Sequence, residues 1–245
     1  MSVRILTYNI HHGADARNRP SLHRIAGVIA DSGAEIVCLQ EVDRNFGARS
    51  GHVDQVAVLT DRLGMHGHFG AALSRRGGHY GNAILSRGAM CDTRVHDLPT
   101  PEDIEPRRAV AATVSTDIGP LHVVSVHLTV GPDMGAVRRR QVSVLVDTVA
   151  AMAGPVVVAG DFNTGARRQL SEIEHAMSSA GSALRWSPAR LGLLWGRPYA
   201  ATFPVRAPRM RIDRIYVTGL RVRSLQVLPD APSDHRALLI EATKR

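Results

Sequence analysis

Four apolar, strand-like runs in this 245-residue chain each stop at a polar residue able to bind a cation or a phosphate. Val3–Tyr8 ends at Asn9, Glu35–Gln40 at Glu41 and Leu121–Val126 at His127, while Pro155–Ala159 stops just short of Asp161 and Asn163. Two further polar groups stand where strands begin: Asp213 in Arg211-Ile212-Asp213-Arg214, and Asp234-His235 ahead of a run that starts at Ala237. In a mixed sheet the ends of some strands and the starts of their antiparallel neighbours share one edge. A fold of that kind brings residues as distant as Asn9 and His235 into one cleft.

The segments between these runs alternate in period. Ser21 is expected to cap a helix that carries Leu22, Ile25, Val28 and Ile29 on one face, and Val53–Leu63 repeats the helical spacing through Val56, Leu59 and Leu63. From Phe69 to Val126 the pattern shortens to strands, Gly81–Ser86, Ala109–Thr116 and Leu121–Val126, punctuated by turns such as Ile118-Gly119-Pro120. Gly135–Met152 is the longest expected helix, with Val137, Leu145, Val149 and Met152 along one stripe, and another is expected near Gln169–Met177. Ser187–Pro208 is irregular, and Arg211–Val217, Val222–Leu228 and Ala237–Glu241 close the chain as strands. Strand, helix and strand recur in both halves, no stretch has linker composition, and the expectation is one layered α/β domain over residues 1–245.

Composition narrows the partners. The net charge is +8, and 29 of the 30 basic residues are arginine, whose planar fork suits phosphate. A basic surface favours anionic partners such as nucleic acid, acidic lipid or phosphorylated metabolites. Arg138-Arg139-Arg140 fans around a helix start, where solvated surface is the commoner fate. No apolar run approaches the roughly 20 residues of a membrane span, and no leader-like apolar region follows Met1, so a cytoplasmic location is expected. Cys38 and Cys91 form no disulfide framework and read as inert thiols.

The carboxylates and amide carbonyls at the strand ends are oxygen donors, which suit Mg²⁺ or Mn²⁺ better than zinc or copper. There is no paired-cysteine or His-Glu-x-x-His zinc pattern, no Gly-x-Ser-x-Gly elbow and no Walker loop. Seven strings then occur in order: Leu6-Thr7-Tyr8-Asn9-Ile10, Leu39-Gln40-Glu41-Val42, Gly81-Asn82-Ala83-Ile84-Leu85-Ser86, Val126-His127-Leu128, Gly160-Asp161-Phe162-Asn163, Ile212-Asp213-Arg214-Ile215 and Ser233-Asp234-His235-Arg236. Together they resemble the endonuclease/exonuclease/phosphatase superfamily, over essentially the whole chain. The resemblance implies a four-layer α/β sandwich, two mixed β-sheets packed face to face with helices outside, and divalent-metal hydrolysis of phosphate esters.

It also implies roles. Glu41 would be the principal metal ligand, with Asn9 beside it offering an amide oxygen or positioning a phosphate oxygen, and Asp234 in the metal shell. Asp161 would orient or deprotonate the attacking water, and Asn163 would donate to phosphoryl oxygens. His235 would be the acid/base, oriented by Asp213, and His127 would meet the phosphoryl group as a second imidazole. Asn82 could face the cleft, with packing the stronger reading. Arg107 and Arg108 could line a substrate groove or be solvated, and Asp54 could shape the pocket. His11 and His12 read as solvated loop residues.

The fold does not choose the ester. Nucleic-acid backbone leads, because the charge suits a polyanion and Arg139, Arg167, Arg206 and Arg209 could flank the cleft. Aromatic residues are only 4%, which disfavours extensive base stacking and favours little sequence preference. The alternatives are a phospholipid or sphingomyelin phosphodiesterase, for which Leu191–Trp195 would be the membrane-touching hairpin, a small-metabolite phosphodiesterase, and an inactive nucleic-acid-binding module.

Overall fold

A computed structural model describes residues 1–165, 169, 171–173, 175, 184–186 and 201–245. The expected helix near Gln169–Met177 falls partly outside these residues, as does the irregular stretch from Ser187. Arg167 and Leu191–Trp195 lie wholly outside them.

Among the described residues the chain forms two six-stranded mixed sheets. The first joins β1 (Val3–Asn9), β2 (Ile36–Arg44), β3 (His66–Arg75), β4 (Gly78–Ser86), β11 (Leu220–Val227) and β12 (Leu238–Lys244), in the order β11-β12-β1-β2-β4-β3. The second joins β5 (Met90–Leu98), β6 (Arg107–Val114), β7 (Leu121–His127), β8 (Val156–Asp161), β9 (Leu184–Trp186) and β10 (Asp213–Thr218), in the order β5-β6-β7-β8-β10-β9. Each sheet has one parallel pair at its centre, β1 with β2 and β7 with β8, and every other pair is antiparallel. A helix makes each parallel crossover, α1 (Leu22–Ser32) in the first sheet and α3 (Gly135–Ala150) in the second. The halves therefore repeat one plan, with their last hairpins exchanged. β5–β6 follows the first half in sequence but pairs onto β7, and β11–β12 follows the second half but pairs onto β1.

Side chains of successive strand residues alternate between faces. In β1, Val3 and Ile5 point into the space between the sheets, while Leu6 and Tyr8, with Ile10 just after the strand, pack outward beneath α1 and α2 (Gln55–Leu63). In β7, Leu121 and Val123 face inward, and Val124 and Val126 pack outward against α3. Three apolar layers thus separate four structural ones, as the sandwich expectation requires.

Along the inward faces the chemistry changes from apolar to polar toward one end. Val3 and Ile5 give way to Thr7 and Asn9, Leu121 and Val123 to Ser125 and His127, Ile36 and Cys38 to Gln40, and Val157 and Ala159 to Asp161. The fully buried Thr7, Gln40 and Ser125 seal the transition. Gln40 Nε2 donates to Ser125 Oγ at 3.2 Å, and Thr7 Oγ1 donates to Gln40 Oε1 at 3.3 Å. Buried amides and hydroxyls are tolerable only when paired in this way.

Several expected elements shift. β3 and β5 were not resolved as strands by the sequence, because both lie at sheet edges and alternate weakly; most of β5 is exposed. Ser21 precedes α1 but makes no capping bond; its hydroxyl donates to the Pro232 carbonyl instead, tying the helix start to the Ser233–His235 segment. Asp54 is the residue that caps, its Oδ1 accepting from Ala57 N–H at the start of α2. Arg138 does not join the solvated fan: it is buried, its guanidinium donating to the carbonyls of Thr129 and Gly131. Cys91 is exposed, whereas Cys38 is buried with its thiol pushed up to about 12 by desolvation. Among the described residues no helix is long and apolar enough to cross a membrane.

Candidate active site

At the polar end of the inter-sheet space the strand-end residues meet. Asn9, fully buried, donates from Nδ2 to Glu41 Oε1 at 2.9 Å and to Asp161 Oδ2 at 3.3 Å. Its Oδ1 accepts the His11 backbone N–H at 3.1 Å, and its own carbonyl accepts the Ser233 hydroxyl at 2.8 Å. The amide oxygen accepts one backbone N–H and keeps a second lone pair, while the amide nitrogen holds the Glu41 and Asp161 carboxylates in register.

Strict alternation would send Glu41 to the helix-covered face, because Gln40 points inward. A bulge prevents this: the β2–β4 ladder skips between Leu39 and Val42, and Glu41 adopts φ 58°. A non-glycine residue in the left-handed region is uncommon and clusters at functional sites. Asn163 is another, at φ 47°, directly after the turn that carries Asp161. Its backbone N–H donates to Asp161 Oδ1 at 2.8 Å, and its Nδ2 donates to the Leu128 carbonyl at 2.9 Å. One of its two amide hydrogens is thereby spent and one is left for another acceptor.

Across the site, His235 Nδ1 and Asp213 Oδ2 lie 2.8 Å apart, both buried. The carboxylate fixes the tautomer, with Nδ1–H donating, so Nε2 faces Asp161 Oδ2 at 3.8 Å. Phe203 packs its ring on the imidazole, with 4.8 Å between centroids. His127 approaches the same Asp161 oxygen through Nε2 at 3.6 Å, and its Nδ1 is 3.3 Å from Arg107 Nη1. Arginine can only donate, so His127 accepts at Nδ1 and carries its proton on Nε2. Two imidazole N–H groups thus converge on Asp161 at separations too long for direct hydrogen bonds.

The electrostatics follow from burial and convergence. Desolvation raises Glu41, the Asn9 bond opposes it, and the Asp234 charge raises it further. Asp161 is pushed up to about 7 by burial and by Asp213, against the pull of His235. Burial works to lower His235, but the Asp213 charge and hydrogen bond, with Asp161 and Asp234 beyond, raise it to about 10. His127 is held well below its usual range by burial, Arg107 and His235, and is neutral. The two histidines therefore carry different charges at neutral pH.

Of the expected site residues, Asn9, Glu41, His127, Asp161, Asn163, Asp213 and His235 come together, with Asp234 close enough for its charge to act on Glu41 and His235. Arg107 joins them, buried against His127 and paired with Glu105. Arg108 does not: it donates to the Ala71 carbonyl and pairs with Asp97 on the edge strands. Asn82 donates to the Arg108 carbonyl and ties the sheets together, as packing predicted. Arg139 pairs with Glu172 on the surface, and Arg206 and Arg209 are exposed. The sequence reading missed His11 and Ser233, which brace Asn9. A polar residue within two positions of each strand-end residue was the available signal.

The tightest convergence of ligand-type atoms among the described residues is Asp161, Asp213 and His235, all within 4.8 Å. It is not the set expected to ligate, and two of its members are spent on each other. The donors left over, Glu41 and Asp234, are carboxylates beside further buried carboxylates with one imidazolium among them. That surplus of negative oxygen fits a hard divalent cation.

The Endonuclease/Exonuclease/phosphatase family model matches residues 6–235. The uncharacterised protein YbhP of Escherichia coli K12 is 31% identical over 256 aligned positions, covering 98% of this chain and 96% of that one. Among solved structures, an endonuclease/exonuclease/phosphatase from Beutenbergia cavernae aligns with TM-score 0.75 at 25% identity, over 99% of this chain and 72% of that one. The human Nocturnin catalytic domain with bound sulfate aligns with TM-score 0.75 at 22% identity, over 100% and 94% of the two chains. D. rerio TDP2 complexed with a single-strand DNA product aligns with TM-score 0.76 at 15% identity, over 99% of each.

Proposed function

Since the chain belongs to the Endonuclease/Exonuclease/phosphatase family, a family of phosphoesterases, we propose that it is a Mg²⁺- or Mn²⁺-dependent phosphodiester hydrolase acting on nucleic-acid backbone. The observation that carries the reading is the convergence of Glu41, Asp161 and Asp213 with one charged and one neutral histidine at the open end of the inter-sheet space. Glu41 and Asp234 would hold the cation, whose charge offsets that of the phosphoryl oxygens.

The protein's own groups divide the rest of the work. Asp161, held by Asn9 and the Asn163 N–H and poised near neutrality, takes the proton of the attacking water. His127 donates from Nε2 as a neutral imidazole, its acceptor side occupied by Arg107. His235 keeps a proton on Nε2 for charge developing at phosphorus or on the leaving oxygen, because Asp213 stabilises the imidazolium. A phosphoryl oxygen between the two Nε2–H groups would receive both. Asn163 supplies its free amide hydrogen to the same charge.

Nucleic acid is favoured by the +8 net charge, and D. rerio TDP2, which shares the fold, was solved with a single-strand DNA product. The test is a panel of plasmid DNA, RNA, sphingomyelin and a nitrophenyl diester, each with Mg²⁺ or Mn²⁺ and with EDTA. Cleavage of DNA or RNA that EDTA abolishes and metal restores is expected. Full activity after exhaustive chelation refutes the metal assignment, and turnover of sphingomyelin alone moves the substrate to lipid.

A further inference from the structure

Beside the site, between the β1–α1 loop and the β2–α2 loop, lies a cavity of about 410 Å³ that the reaction above does not use. His12, Leu22, Arg49, Val53, Gln55 and Val58 are among its walls. The walls are built rather than incidental. Gln55, 2% exposed, clamps both loops, donating to the His12 carbonyl at 2.7 Å and accepting the Asp43 N–H at 2.9 Å. A side chain on Gly13 would collide with it, a Cβ there falling 2.4 Å from Gln55 Nε2. His11, His12 and Gly13 all take left-handed φ, which turns the loop tightly around that amide.

Arg49 is the fixed point of this wall. Its Nε and Nη2 fork onto Asp43 at 2.9 and 2.7 Å, and the Asp43 side chain is completely buried. Its guanidinium stacks on Phe46 and Tyr80, 4.8 and 5.2 Å from the ring centroids. Nη1 is left over, on a side chain 41% exposed. Contacts run from there to the reacting groups. Tyr80 lies close enough to Arg107 for the guanidinium charge to act on its hydroxyl, and Arg107 meets His127, while on the other wall His12 follows the residue that braces Asn9. No carboxylate stands among the described residues that line the cavity.

A rigid guanidinium with both Nη1 hydrogens to spare, set in a partly apolar cavity beside a phosphodiester site, is suited to an anionic oxygen on the non-reacting part of the substrate. The geometry points to a subsite in which the nucleoside next to the scissile phosphate enters the cavity and Arg49 binds the following phosphate of the chain. The inference rests on the nuclease reading for the identity of that chain. It assigns to the loop Arg49-Ser50-Gly51 the placing of substrate, and it makes the enzyme one that takes a splayed or terminal nucleotide rather than the interior of a stacked duplex.

Calorimetry with thymidine 3′,5′-bisphosphate and thymidine 5′-monophosphate tests it without requiring turnover. The wild type is expected to bind the bisphosphate about tenfold or more tightly, the scale of a charge-assisted hydrogen bond. Arg49→Met should bring that ratio close to one. Because Arg49→Met leaves Asp43 buried without its partner, Val58→Trp serves as a second variant. It fills the cavity from the half-buried side of α2 and should weaken both ligands together. Equal affinity for the two ligands in the wild type, or a ratio unmoved by Arg49→Met in a folded protein, overturns the subsite. So does undiminished affinity for both in Val58→Trp. A clear ratio in a protein that hydrolyses no diester would leave the subsite standing and remove the hydrolase reading; hydrolysis without the ratio does the reverse.

Discussion

Replacing Asp213 by Asn removes a charge while keeping an oxygen able to accept the His235 Nδ1–H. In the native protein that carboxylate, 2.8 Å from the ring, is what lifts His235 to about 10 against burial. Without it, desolvation loses its main competitor and His235 is lowered, with only the more distant Asp161 and Asp234 charges still supporting the imidazolium. Less of the enzyme then carries the proton at pH 7.5, and the part of the about 10²–10⁴ that general acid catalysis contributes is lost with it. The assay is kcat on a thymidylyl dinucleotide, whose alkoxide leaving group needs a proton, at saturating Mg²⁺. Asp213→Asn and His235→Ala should each lose about 10²–10⁴, with substrate affinity nearly intact. The double variant should be little worse than His235→Ala. Should the single losses multiply in the double variant, the two residues do not act as a unit and the orienting role of Asp213 is wrong.

Two further outcomes concern stability. His12 is held down to about 4 by burial, with His11 and Arg49 adding to the effect, while the unfolded chain protonates it near 6.5. Between those values the unfolded state binds the extra proton, so this contribution is complete above about pH 6.5 and is lost as the pH falls through 4. His12→Asn, which tolerates the φ of 46°, should flatten the fall in urea midpoint between pH 6.5 and 4; an unchanged slope refutes the assignment. At Gly160 a Cβ would lie 1.9 Å from the Val126 carbonyl oxygen, and φ is 155°. Gly160→Ala should cost about 3 kcal/mol in denaturant unfolding, and a loss near zero would show that β7 and β8 can part there at no cost.

The central strands were legible because their burial on both faces writes nearly continuous apolar runs, and their ends were legible because those runs stop at Asn9, Glu41, His127 and Asp161. The edge strands β3 and β5 were not, since half-exposed edges carry no such run. Glu41 could be named as a site residue but not explained, because nothing in Leu39-Gln40-Glu41-Val42 announces the bulge that turns its side chain inward. His11 braces Asn9 through its backbone N–H, which no side-chain pattern announces, and Ser233 does so across 224 positions of sequence, which periodicity does not encode. Arg49 and Asp43 were separated by a loop whose residues look solvated. Only the pairing of β2 with that loop reveals one as a buried anion and the other as its clamp.

The exchanged hairpins set the order in which a ribosome can complete the first sheet. β1 is made long before its neighbour on one side, β12, which comes from residues 238–244. Until then the nascent chain exposes a central strand with an open edge, the kind of surface that pairs with other chains. The same late segment delivers Asp234 and His235, so no shorter nascent chain holds the proton donor proposed for the reaction. Topological closure and the proposed chemical competence therefore arrive together, and a partly made chain is also an inert one.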